Sequence, residues 1–198
     1  MLVLIACEFS GIVRDEFLKR GHDAWSCDIL PSERAGPHIQ GDALEAARSR
    51  NWDLMIAHPP CTFLSISGAL HFKNRRPQQR EALAFVRALM RMEHIPRIAI
   101  ENPISIVSSR IRKSDQRIQP YQFGHREQKT TCLWLKGLPL LEPTRLVDAQ
   151  GYSYVHQSLG SGKGKDRSRT YPGIARAMAE QWGSLPLPAS LDTLADKV

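Results

Sequence analysis

The chain has 198 residues, 42% of them hydrophobic and 24% charged, which suits one well-buried globular domain and is too short for two ordinary ones. Lys and Arg number 27 against 20 Asp and Glu, and the resulting charge of +7 favours a polyanionic partner, nucleic acid first. No apolar run approaches the roughly 20 residues needed to cross a bilayer. The four cysteines (Cys7, Cys27, Cys61, Cys132) show neither CxxC nor zinc-ligand spacing, so the expectation is a reducing cytoplasm, with no membrane and no metal.

LVLIAC (2–7) is a continuous apolar run of the kind a strand shows when covered on both faces, and it meets Glu8 without a basic leader or cleavage site. Ile12, Val13, Phe17 and Leu18 then share one helical face, with Gly21 as a C-cap. HDAWSCDI (22–29) reads as a second strand ending in Asp28, and a polar connection leads to Asp42 and a short helix over 43–50. WDLMIAH (52–58) is the next strand, halted by Pro59-Pro60 and followed at once by Cys61. A stretch rich in Ser, Gly, Lys and Arg reaches Gln79, and helical composition holds from Arg80 to Met92. RIAIENP (97–103) is a fourth strand, and Thr131–Leu135 a late one. SLGSGKGKDRSR (158–169) is a glycine-rich basic loop, YPGIARAMAEQW (171–182) a closing helix, and 184–198 a loosely tied tail.

Strand–helix alternation over the first 103 residues implies right-handed crossovers and a mainly parallel sheet, hence a Rossmann-like α/β domain over 1–183. Ligands sit at the carboxyl ends of such strands, where Glu8, Asp28, Cys61 and Glu101 all fall. Cys61 by itself reads as a small packed hydrophobe. With two prolines before it and Glu101 on the same edge, a mounted nucleophile becomes the better reading. Asp28 serves equally as a turn residue, and Asp42 as a helix N-cap. Cys7, Cys27 and Cys132 lie in apolar strands as packing residues.

Four stretches together carry a family resemblance. CEFSGIVRDEFLKRGHDAWSCDI resembles the cofactor-binding opening of the 5-cytosine DNA methyltransferases, which use S-adenosylmethionine. DLMIAHPPCTFLSISG resembles their Pro-Cys nucleophile motif and catalytic loop, IAIENP their Glu-Asn-Val motif, and RTYPGIARAMAEQW their last motif. The order agrees over residues 3–183, and the chain looks closest to short versions from phage and prophage genomes. The resemblance implies an S-adenosylmethionine-dependent methyltransferase fold and a Cys61 thiolate, mounted by Pro60, that adds to cytosine C6. Glu101 would meet the ring nitrogen N3. The cofactor would be held by Glu8, by the turn Phe9-Ser10-Gly11 at the start of the first helix, and by Asp28, Asp42 and Thr170. DNA would be met by Ser65, Lys73, Arg75, Arg76, Arg126, Lys129, Lys163 and Lys165, in the cytoplasm of a bacterial host cell.

The match has gaps. The family's Gln-x-Arg-x-Arg motif falls on QKTTC, with Thr130 and Cys132 in the arginine positions and Arg126 or Lys129 as nearby substitutes. His58 stands where a non-polar residue or glycine is usual, and Val13 replaces a glycine. Residues 137–160 stand in place of a separate target-recognition domain, which leaves little to read a major groove and calls for a protein partner or relaxed specificity. Three basic clusters are candidates for phosphate contact: Lys73–Arg80, Arg110–Lys113 and Lys163–Arg169. Besides DNA methylation, the sequence leaves two alternatives, modification of a free pyrimidine nucleotide and a methyltransferase-like binding or decoy protein.

Overall fold

Residues 2–6 are apolar at every position because the strand they form is covered on both faces. In the computed structural model, which describes residues 1–149 and 168–187, that strand is β1 (Leu2–Ala6). It is joined by β2 (Asp23–Asp28), β3 (His38–Gln40), β4 (Leu54–Ala57), β5 (Arg97–Pro103), β6 (Gln116–Ile118) and β7 (Thr131–Lys136). Side chains alternate between the faces as the pleat requires. Val3 and Ile5 pack with α1 (Ile12–Leu18) and α5 (Pro172–Gln181). Leu4 and Ala6 pack with α2 (Ala43–Arg48) and α3 (Arg76–Met90), next to which lies α4 (Val107–Arg110). Trp182 closes the first layer and Trp52 the second, both fully buried.

The strand order is β3-β2-β1-β4-β5-β7-β6. β1 to β5 run parallel, and β7 lies antiparallel between β5 and β6. This is the mainly parallel Rossmann-like α/β fold expected. The order reverses between β1 and β4, whose following helices leave on opposite faces, so a crevice opens at their carboxyl ends. No helix among the described residues is long and apolar enough to cross a membrane.

Some boundaries differ from expectation, each for a local reason. The edge strands β3 and β6 have three residues apiece and no apolar alternation, so periodicity could not reveal them. Helix α3 begins at Arg76, four residues early, because Pro77 in its first turn pre-sets helical φ while RRPQQR looks like loop chemistry. The polar stretch before it contains a 3-10 helix, Ile66–Asn74. Residues 137–149 carry neither helix nor strand, while 150–167 and the tail beyond 187 lie outside the described residues.

Candidate active site

At the end of β1 the chain turns sharply: Cys7 has φ 58 and Gly11 has φ 70, and between them Glu8 folds back under α1. Its Oε1 accepts from the Val13 amide at 2.7 Å and the Ser10 hydroxyl at 3.1 Å, and its Oε2 from the Arg14 amide at 3.3 Å. Two donors of the helix N-terminus are therefore engaged by the protein's own Glu8. Burial raises the Glu8 pKa, against lowering by His58 and these hydrogen bonds. Gly11 is needed here, since a Cβ would meet Arg14 Nη2 at 2.5 Å in a left-handed backbone.

Arg14, at 0% exposure, holds the loop between β2 and β3 against this turn. Its guanidinium donates to Ser26, Ser32 and the carbonyls of Arg34 and Ala35, and pairs with Asp15 at 2.8 Å. The Glu33 amide donates to the Phe9 carbonyl at 2.8 Å, and the Glu33 carboxylate takes Arg169 at 2.8 Å, one residue before Thr170. Phe9, Ser10 and Thr170 thus belong to one clasped corner. Asp28, ending β2, accepts from the Leu30 amide at 2.9 Å through Oδ1. Asp42 caps α2, its Oδ1 accepting from Leu44 at 2.8 Å and Glu45 at 3.0 Å. Asp28 and Asp42 both lie close enough to the Cys7 thiol that, after burial, their charges help raise its pKa.

Cys61 is half-buried on the turn that follows β4 and Pro59-Pro60, and its carbonyl accepts from the amides of Leu64 and Ser65, both at 2.9 Å. Two braces fix this turn to the end of β5. Asn102 Nδ2 donates to the Pro59 carbonyl at 2.8 Å. The chain after Cys61 also ladders onto the chain after β5: Ile66 N to Ile104 O at 3.1 Å, Ile106 N to Leu64 O at 2.9 Å, and a bridge between Ser65 and Ser105. Ser65 caps the 3-10 helix, accepting from the Ser67 amide. The expected loop is therefore anchored at its root. Asn102→Ala removes the buried donor to Pro59, and we expect a loss of about 1–2 kcal/mol in urea unfolding, with slower reaction of the Cys61 thiol if the turn is what presents it.

Glu101 stands on the same edge as the Cys61 turn, and His58 Nδ1 lies 3.1 Å from its Oε2. The pairing Glu101↔Leu133 and Pro103↔Thr131 puts Thr131, and Lys129 beyond it, on the Glu101 face of the sheet. Burial pushes the Glu101 pKa up. The hydrogen bond and charge of His58, the Lys129 ammonium and the Thr131 hydroxyl outweigh it and bring the carboxyl below its ordinary range. Lys129 Nζ also lies 5.7 Å over the ring of Tyr171, which in turn tilts against His125. Asn102, Thr131 and Tyr171 were not assigned roles from the sequence; only the register of β7 could have indicated Thr131.

Comparison with known proteins adds little to this geometry. No family model and no curated protein sequence matches the chain. Among solved structures, one protein provisionally named as a DNA modification methyltransferase encoded within an Escherichia coli prophage shares 15% identity at a TM-score of 0.46, over 75% of this chain and 52% of that one. The 16S rRNA methylase RmtB shares 16% identity at a TM-score of 0.37, over 68% and 54%. The chain thus spans about half the length of these two structures.

The remaining basic residues separate into those near the site and those away from it. Lys73, Arg75, Arg76 and Arg80 are exposed on and beyond the 3-10 helix that follows Cys61, with Arg75 over the Phe63 ring at 5.7 Å. Arg126 is exposed just before Lys129. Arg112 instead reaches the Leu135 carbonyl and Asp115, and Leu135 pairs with Ala99 in the amino-terminal half of β5. Arg112 of the Arg110–Lys113 cluster is thus held beside the amino-terminal half of β5, not at its carboxyl end. Lys163 and Lys165 lie outside the described residues. Among the described residues no three His, Cys, Asp or Glu side chains gather as a metal site.

Proposed function

We propose that the chain transfers a methyl group from S-adenosylmethionine to C5 of cytosine in DNA. The observation that carries this reading is the double brace, Asn102 to Pro59 and Ser65 to Ser105, which locks a Pro-Pro-Cys turn beside a half-buried carboxyl group at the switch-point crevice. Cytosine C5 is a weak nucleophile. A thiolate adding to C6 pushes the electron pair of the C5–C6 double bond toward C5 and N3, so Cys61 supplies the attack and Glu101 meets N3. Pro60 keeps the thiol on a rigid mount.

The donor set fits the cofactor. An acidic side chain closes β2 with only one of its oxygens engaged, as a ribose diol requires, and the Gly11 turn lets backbone approach a ligand. Asp28, Asp42, Phe9 and Thr170 would hold it, and Glu8 and Ser10 would set the turn. When bound, S-adenosylmethionine supplies an electrophilic methyl group. DNA is met by Lys73, Arg75, Arg76 and Lys129, Arg126 adding charge at the rim, and a duplex target has to be flipped out. Between Lys136 and Pro172 there is little chain for base reading, which favours short or partner-supplied specificity and keeps modification of a free pyrimidine nucleotide as the second reading.

The test is incubation with isotopically labelled S-adenosylmethionine and either duplex DNA or dCMP, followed by nucleoside analysis. Label in 5-methylcytosine from DNA is the expected result. Label only in the nucleotide moves the assignment to the second reading, and cofactor binding without any product leaves a binding or decoy protein.

A further inference from the structure

Three neighbouring strand ends, β1, β4 and β5, place Glu8, His58 and Glu101 in a row across the crevice. His58 extends β4, its amide donating to the Ala6 carbonyl at 2.9 Å, so its imidazole rises from the switch point itself. That side chain is 6% exposed, and its Nδ1 faces Glu101 Oε2 at 3.1 Å. Its Nε2 is buried and has no hydrogen-bond partner among the described residues. An imidazole whose second nitrogen satisfies no structural partner is a poor packing element. Among the described residues, its only hydrogen bond is to the carboxyl group that the proposed reaction uses.

We propose that His58 and Glu101 share one proton, and that His58 is the reservoir from which Glu101 is reprotonated. His58 is thus a positioning residue that acts through Glu101. The inference rests on the reaction proposed above. As the Cys61 S–C6 bond forms, the displaced electron pair draws the one shared proton from His58 Nδ1 through Glu101 to N3, leaving a carboxylate beside a neutral imidazole. When the S–C6 bond breaks, N3 returns the proton by the same route, so the pair ends as it began. Glu101 alone would be a poor store, because Lys129 and Thr131 favour its ionised form. The charged groups that face the pair are Glu8 from the β1 turn and Lys129 ahead of β7.

The step can be read without the cofactor, because addition at C6 alone lets the C5 hydrogen of a cytosine oligonucleotide exchange with deuterated solvent. We expect His58→Asn, which keeps a neutral donor, to slow exchange about a hundredfold. The fall in rate at alkaline pH should also move to the acid side, because the carboxyl group is then the remaining proton store. A low-field Nδ1–H resonance, assigned among the seven histidines by its absence in His58→Asn, should be present in the wild type and lost in Glu101→Gln. A rate loss with an unmoved alkaline limb, or a wild type lacking that resonance, overturns the proposal. A wild type that shows the resonance but no exchange at any pH overturns the reading of the reaction and leaves the shared proton standing. His58→Ala serves if the Asn variant does not fold.

Discussion

Cys61→Ser and Cys61→Ala are expected to abolish the proposed methyl transfer, by about 10⁴-fold or more, while leaving the fold intact. The size follows from the chemistry, because no other thiol among the described residues is placed to add to C6. Cys7 is the nearest rival by position, but burial and the charges of Asp28, Cys27 and Asp42 push its pKa well above the ordinary thiol range, which disfavours a thiolate there. Cys27 is buried, its pKa raised to about 11, and Cys132 is buried on the opposite face of the sheet from Glu101. The fold survives because Cys61 is only half-buried and the turn is held by its carbonyl and by Asn102. The direct check is adduct formation with a 5-fluorocytosine oligonucleotide in the presence of cofactor. Methylation blocks at a C5 that cannot release fluoride as a cation, so a covalent band should form with wild type and vanish in both variants. A band that persists in Cys61→Ala would move the nucleophile elsewhere and remove the basis of the proposed reaction.

The sheet core and the edge on which the site stands were legible because their signals are local. Four apolar runs, each stopped by a polar residue or by proline, are enough to set β1, β2, β4 and β5 and to line up Glu8, Asp28, Cys61 and Glu101. What escaped was set by pairing. QKTTC invites comparison at Thr130 and Cys132, yet antiparallel register against β5 turns Cys132 toward the α3 layer and brings Thr131 and Lys129 to Glu101. A shift of one residue exchanges the faces of a strand, and sequence spacing alone does not carry the register. His58 was conspicuous in the sequence, but only the strand order puts it between two carboxyl groups. Arg14 of α1 carries no apolar signal that would mark it for burial. Its full burial depends on the Arg34 and Ala35 carbonyls, brought round by a loop with no periodic pattern.

Gly173→Ala should destabilise the protein by about 3 kcal/mol, the opposite of what helix propensity alone dictates. Gly173 lies in the first turn of α5, with Pro172 ahead of it, and an exposed helical glycine replaced by alanine ordinarily gains up to about 1 kcal/mol. Here an added Cβ would stand 1.9 Å from the Phe123 carbonyl oxygen and 2.9 Å from His125 Nε2. The carbonyl cannot retreat easily, because the Phe123 and His125 amides are both bonded to Pro120 and Gly124 is bonded to Arg145. The helix must move instead, and it carries Ile174, Ala175, Met178 and Trp182 out of the layer over Val3 and Ile5. Its first turn also loses the bond from the Gly173 amide to His125, and Tyr171 shifts under the Lys129 ammonium. A fall in Tm of about 10 °C is expected for a chain of this size. Gly41→Ala is the control, since a Cβ there meets nothing within 4 Å and should leave Tm unchanged or slightly higher. If both variants melt together with the wild type, α5 does not dock on the Phe123 turn. In that case Lys129 and Thr170 lose the scaffold that places them beside the site. If Gly173→Ala alone melts early and also loses methyl transfer at temperatures where it is still folded, the α5 turn is part of the site as well as its support.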